Sequence, residues 1–138
     1  MNALMHPVQQ FQSFLVARGF RVEKEHLDGS FNGFLTIRDE LIVVALVMDH
    51  GEWHVDVGRD DALVRCVDWA RALGDTTATE PLVASAEVQF YQKNWDVIVG
   101  IVRDTRRFGL LPSRPFGIAT DRLRAFIDDF KRRPGKHD

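Results

Sequence analysis

The sequence is short of the features that most often disclose a function. It has one cysteine, Cys66, so no internal disulfide can form. The opening MNALMHPVQQ has no basic region followed by an apolar run of the kind that directs secretion, and the expected location is the cytoplasm. The longest uninterrupted apolar run, Leu41 to Met48, has eight residues. A helix needs about 20 to cross a bilayer, so this run reads as a buried strand. DGSFNG has two glycines, but it has neither the strand-then-helix setting of a phosphate loop nor its trailing Lys and Ser or Thr. There is no internal repeat and no low-complexity tract.

What is present is the composition of an ordinary folded domain. The 138 residues are 45% hydrophobic and 28% charged, with ten Phe and three Trp, which excludes a disordered chain. One domain over 1–138 is expected, burying roughly two-thirds of its unfolded surface, with 134–138 trailing flexibly after Pro134. The net charge of −2 conceals a division. Residues 1–100 carry 8 basic and 15 acidic side chains, net −7, whereas 101–138 carry 10 and 5, net +5. The bulk is acidic, so nucleic acid is not the expected partner.

Leu4, Val8, Phe11, Phe14 and Leu15 recur at helical spacing, and Gly19 stands where a left-handed cap is needed. Phe20 and Val22 then alternate with Arg21 and Glu23, giving an edge strand that pairs beyond the turn LDGSFNG. Phe34–Arg38, Leu41–Met48 and Glu52–Gly58 read as three strands of an antiparallel meander. The middle one, apolar throughout, calls for cover on both faces. In the last, Trp53, Val55 and Val57 point to the core, and Glu52, His54 and Asp56 point to solvent.

Asp60 and Asp61 suit the start of a helix carrying Leu63, Val67, Ala70 and Leu73 up to Gly74. Pro81 suits the first turn of a long helix with Tyr91, Trp95, Ile98 and Val102 on one side. Thr120 caps a last helix burying Leu123, Phe126, Ile127 and Phe130. The predicted fold is α+β: one helix, a mostly antiparallel four-stranded meander, then three C-terminal helices, one of them long.

The stretch MDHGEWHVDVG, Met48 to Gly58, concentrates two histidines and three acids. Alternate residues on one straight strand lie about 6.6 to 7 Å apart, too far to converge on one ion without help, which His50 would have to give. The stretch therefore reads as a solvated face, with no metal and no cofactor expected. Cys66 lies on the covered side of its helix with no His–Asp pair at a recognisable spacing, so no catalytic residue is assigned. Arg103, Arg106, Arg107 and Arg114, near Phe108 and Phe116, form the best basic patch, but arginines at a helix C-terminus are also favoured by the dipole.

The other concentration of charge is acidic, and it fits a docking surface for a basic protein. The meander GFLTIRDELIVVALVMDHGEWHVDVG followed by helices resembles the small immunity proteins of bacterial polymorphic-toxin and contact-dependent inhibition systems. That resemblance covers the whole chain at the level of layout. It implies a binding protein that occludes a cognate toxin, with Asp49, Glu52, His54 and Asp56 at the interface and Asp60 and Asp61 on its rim. Type III secretion chaperones are also small, acidic and α+β, but they add a second strand pair where Ala84 to Arg107 reads as helix. A small enzyme or ligand-binding domain would instead need a pocket lined by His54, Tyr91 and arginine.

Overall fold

The computed structural model describes residues 6–27, 33–49, 52–60, 62–74 and 84–103, together with positions 123, 125, 127 and 128. Helix α1 spans His6–Val16 and ends at Gly19, whose φ of +90° is the left-handed cap its position called for. Phe20 N–H donates to Leu15 O and Gly19 N–H to Val16 O, the paired bonds of a Schellman stop. Leu15 and Phe20 are both buried, so the cap also turns the chain into the core.

Strands β1 (Arg21–Leu27), β2 (Gly33–Arg38), β3 (Val43–Asp49), β4 (Glu52–Arg59) and β5 (Ala62–Arg65) form one antiparallel sheet in the order β1-β2-β3-β4-β5. As expected, β1 is an edge. Its register skips at Glu23 between Val22 and Lys24, a bulge that, with its row of charges, discourages pairing with another chain. Asp39 builds the β2–β3 turn by accepting from the backbone N–H groups of Leu41 and Ile42 at 2.8 and 2.7 Å.

The fifth strand corrects the expected four. Ala62–Arg65 pairs with Asp56–Arg59, and the helix expected from Asp60 starts only at Cys66, as α2 (Cys66–Ala72). Four residues are too few to display either a strand or a helix period, and Leu63 falls by chance in phase with the stripe of α2. Asp60 accordingly lies in the β4–β5 turn, and the acid in the first turn of α2 is Asp68. Asp61 is outside the described residues.

Helix α3 spans Ala84–Arg103, twenty residues, where the chaperones named above would have strands. It packs on α1 and on β4. Phe11 lies 5.8 Å from Tyr91 and 6.0 Å from Trp95 between ring centroids, joining the two helices over Leu35, Val44, Leu46 and Val55 of the sheet. Positions 123, 125, 127 and 128 are helical, with Leu123 and Ile127 buried in the same core; Phe126, Phe130 and 134–138 lie outside the described residues. Among the described residues no helix is long and apolar enough to cross a membrane.

The apolar run that called for cover on both faces receives it only in part. Ile42, Val43, Val44 and Leu46 are buried and Ala45 is half-buried, but Val47 is 39% exposed.

Candidate binding face

The sheet register fixes which side chains share the face opposite the helices. Directly opposed residues project to the same side, as do alternate residues along a strand. Asp49 pairs with Glu52 at one end of β3 and β4. The next row runs across four strands: His26 opposite Phe34, Phe34 opposite Val47, and Val47 opposite His54. Beyond it lie Lys24, Thr36, Ala45, Asp56 and Arg65. The partly apolar row therefore has Glu52 and Asp49 on one side and Asp56, set between Lys24 and Arg65, on the other.

That row is open. Phe34 is 41% exposed and Val47 39%, the imidazole of His26 stacks on the Phe34 ring with centroids 5.7 Å apart, and His54 is half-exposed. On the opposite face of β4, Trp53, Val55 and Val57 are fully buried, as the alternation predicted. Trp53 is thus a core residue and not an outward anchor.

Helix α3 supports this end of β4 from the side. The β4–β5 pairing stops at Asp56 opposite Arg65, so the backbone of Val55 faces no strand there. Glu87 and Tyr91, one helical turn apart, take its place. Glu87 Oε1 accepts the Val55 N–H at 2.7 Å, and the Tyr91 hydroxyl donates to Val55 O at 2.7 Å. Burial pushes the Tyr91 phenol well above its usual value, which keeps it a donor. The second oxygen, Glu87 Oε2, lies 3.1 Å from His54 Nδ1, while His54 Nε2 is 4.0 Å from the exposed Glu52 carboxylate. A carboxylate accepts only, so this contact orients the imidazole with its Nδ1 hydrogen toward Glu87.

The chain matches no protein-family model, no curated protein and no solved structure.

Asp56 completes the cluster. Burial, and then the nearby Glu87 charge, raise its carboxyl to about 6, partly offset by His54 and Arg65. Arg65 is held in turn by the buried Asp68 at 3.0 Å. Among the described residues no three His, Cys, Asp or Glu are grouped to hold a metal ion, and His50 lies outside them.

Of the residues expected at an interface, Asp49, Glu52, His54 and Asp56 fall on one face. Asp60 does not join them: it lies at the other end of β4, roughly 26 Å of strand from Glu52, and its carboxylate pairs with Arg38 at 2.8 Å. In the basic patch, Arg103 donates to Asp39 at 2.7 Å, and Arg106, Arg107 and Arg114 are outside the described residues. Cys66 is buried, as expected of a small apolar residue.

Sequence reasoning passed over Glu87. Its signal was present, because it stands four residues before Tyr91 and eight before Trp95, a carboxylate in the apolar stripe of an amphipathic helix. Exposed Phe34 and Val47 gave no such signal, since an apolar residue in a strand reads as core.

Proposed function

We propose that this chain is a non-enzymatic binding protein that neutralises a cognate protein toxin, as bacterial immunity proteins do, by occupying its active or substrate-binding surface stoichiometrically. The observation that carries the proposal is the sheet face that Glu52, His54 and Asp56 share with the uncovered Phe34 and Val47, with Asp49 in register opposite Glu52. Exposed apolar side chains framed by carboxylates combine an area to bury with a field that steers a basic partner. The candidate chemical groups point the same way. Tyr91 and both oxygens of Glu87 are bound to the protein's own backbone and to His54, which employs them in building the face and not in lining a substrate pocket.

The test is capture of the tagged chain from its source cells in moderate salt, alongside Glu52→Lys and Asp49→Lys variants whose circular dichroism matches the parent. A stoichiometric basic partner is expected with the parent, reduced at least about tenfold by either reversal, in line with the cost of like-charge juxtaposition at an interface. Purified partner should lose its toxic activity at one molar equivalent. Equal capture by parent and variants would place the interface elsewhere, and an unaffected toxic activity would overturn neutralisation.

A further inference from the structure

We propose that the open sheet face is self-complementary, and that two copies of the chain pair through it about a two-fold axis passing between Phe34 and Val47. This goes beyond the neutralisation reading and does not rest on it.

The register places opposite charges at opposite corners of the face. Lys24 lies on β1 in the row of Thr36, Ala45 and Asp56, and Glu52 lies on β4, one row beyond Val47 and His54. Both are exposed. Among the described residues Lys24 has no ion-pair or hydrogen-bond partner, and Glu52 has only the His54 imidazole, at 4.0 Å. Arg21, in register with Arg38 one row further on, adds a second cation to the corner of Lys24. The other charges nearby are answered within the chain: Arg65 by Asp68 at 3.0 Å and Arg38 by Asp60 at 2.8 Å.

Counted in strands and rows, the midpoint between Lys24 and Glu52 falls between Phe34 and Val47. These are the exposed apolar pair of the face, at 41% and 39%. A two-fold axis lying in the interface through that point brings each Lys24 onto the Glu52 of the second copy, and lays the apolar centre of one copy on that of the other. Along this diagonal the strands are about 4.8 Å apart and the rows about 6.8 Å, so the line from Lys24 to Glu52 runs at roughly 45° to the strands. The two sheets then cross at close to a right angle, one of the two ways in which sheets pack face to face. A second copy is the occupant that answers both corners at once, whereas a basic partner would meet like charge at Lys24.

The contact uses the face, so the bulge and charges of the β1 edge do not oppose it. Five strands about 4.8 Å apart and six residues deep at about 3.4 Å make a face of roughly 24 by 20 Å. Two copies bury about 1,000 Å2 in all, the lower bound for a specific contact. The dimer is therefore weak and reversible, and a tighter-binding partner displaces the second copy by mass action.

Sedimentation equilibrium of the full-length chain at low salt, from low to high micromolar concentration, tests the dimer. The mass is expected to rise from 15.8 kDa toward twice that value. Glu52→Lys and Lys24→Glu, each checked by circular dichroism, should each weaken association at least about tenfold, because each dimer then holds two like-charge contacts. An equimolar mixture of the two variants should associate as the parent does, since every contact between unlike copies again joins opposite charges. Val47→Lys, at the centre, should abolish association. A parent that stays at 15.8 kDa throughout overturns the dimer. Association that ignores both reversals, or a mixture no better than either variant alone, overturns this face and its two-fold geometry. The neutralisation reading fails separately, through partner capture that ignores the Glu52 and Asp49 reversals.

Discussion

The Glu87 carboxylate receives the backbone N–H of Val55 at 2.7 Å, so a helix side chain continues the sheet one residue past the end of β5. Glu87 is itself buried, and its second oxygen orients His54. Removing it strands a buried donor, which costs about 1 to 3 kcal/mol. Glu87→Ala should therefore lower the unfolding free energy by about 2 to 3 kcal/mol in urea melts and speed hydrogen exchange at the Val55 amide. Glu87→Gln keeps an acceptor for Val55 and removes a like charge beside Asp56, so its loss should be under about 1 kcal/mol. Equal losses for the two variants would contradict the assigned bond.

Asp56 gives the face a pH dependence. Its carboxyl stands at about 6 in the folded protein against the ordinary 3.8. Below pH 4 the group is protonated in both states and contributes nothing to the pH dependence. Between 4 and 6 the unfolded chain releases the proton while the folded chain keeps it, so stability falls as pH rises, and above 6 the loss is complete. One pKa unit is 1.36 kcal/mol; allowing for partial exposure of the group, the loss is about 2 kcal/mol. Asp56→Asn should have no such slope. The expected outcome is a stability difference, variant minus parent, that grows by about that amount from pH 4 to pH 7 in parallel melts; a flat difference would contradict the shift.

The fold was legible where the chain runs long enough to display a period. The helix ended by Gly19, the meander and the alternation of Glu52 to Val57 all follow from spacing and turn residues. β5 was hidden because it is short and merges without a break into α2, so that only its pairing with Asp56 to Arg59 distinguishes it. The acidic residues of the site were legible as a strand's solvated face, but their companions were not. That Phe34 and Val47 stay uncovered depends on where the helices pack, and that Glu87 reaches Val55 depends on where β5 stops. Both are tertiary facts that local pattern does not contain.

Two buried tryptophans should respond to loss of the indole N–H to very different degrees. Trp69 Nε1 donates to Val57 O at 3.0 Å, whereas Trp53 Nε1 has no partner among the described residues. An unpaired buried donor is a standing cost of about 1 to 3 kcal/mol. Trp53→Phe removes that cost along with some packing, so the net change should lie within about 1 kcal/mol. Trp69→Phe loses both packing and a hydrogen bond and should cost about 2 to 3 kcal/mol. Urea midpoints of the two variants, at equal m-values, make the comparison; a larger loss at Trp53 would mean that its indole is bonded after all.

Asp39 performs two tasks with its two oxygens, and they can be separated. Oδ1 accepts from Leu41 and Ile42 to close the β2–β3 turn, and Oδ2 accepts from Arg103 at 2.7 Å, tying the end of α3 to that turn. The Arg103 side chain is 52% exposed, so the ion pair alone should be worth less than about 1 kcal/mol and should fade with salt. Asp39→Asn keeps an acceptor for the turn and gives up the charge; its loss should be under about 1 kcal/mol and should match that of Arg103→Ala. Asp39→Ala surrenders the turn bonds too and should cost about 1 to 2 kcal/mol more, independent of salt. Melts of the three variants at low and high salt separate the contributions, because only the turn bonds survive screening. If Asp39→Ala were no worse than Asp39→Asn, the register of β2 against β3 would owe nothing to this side chain and would rest on the pairing of Ile37 with Val44 and Leu35 with Leu46 alone.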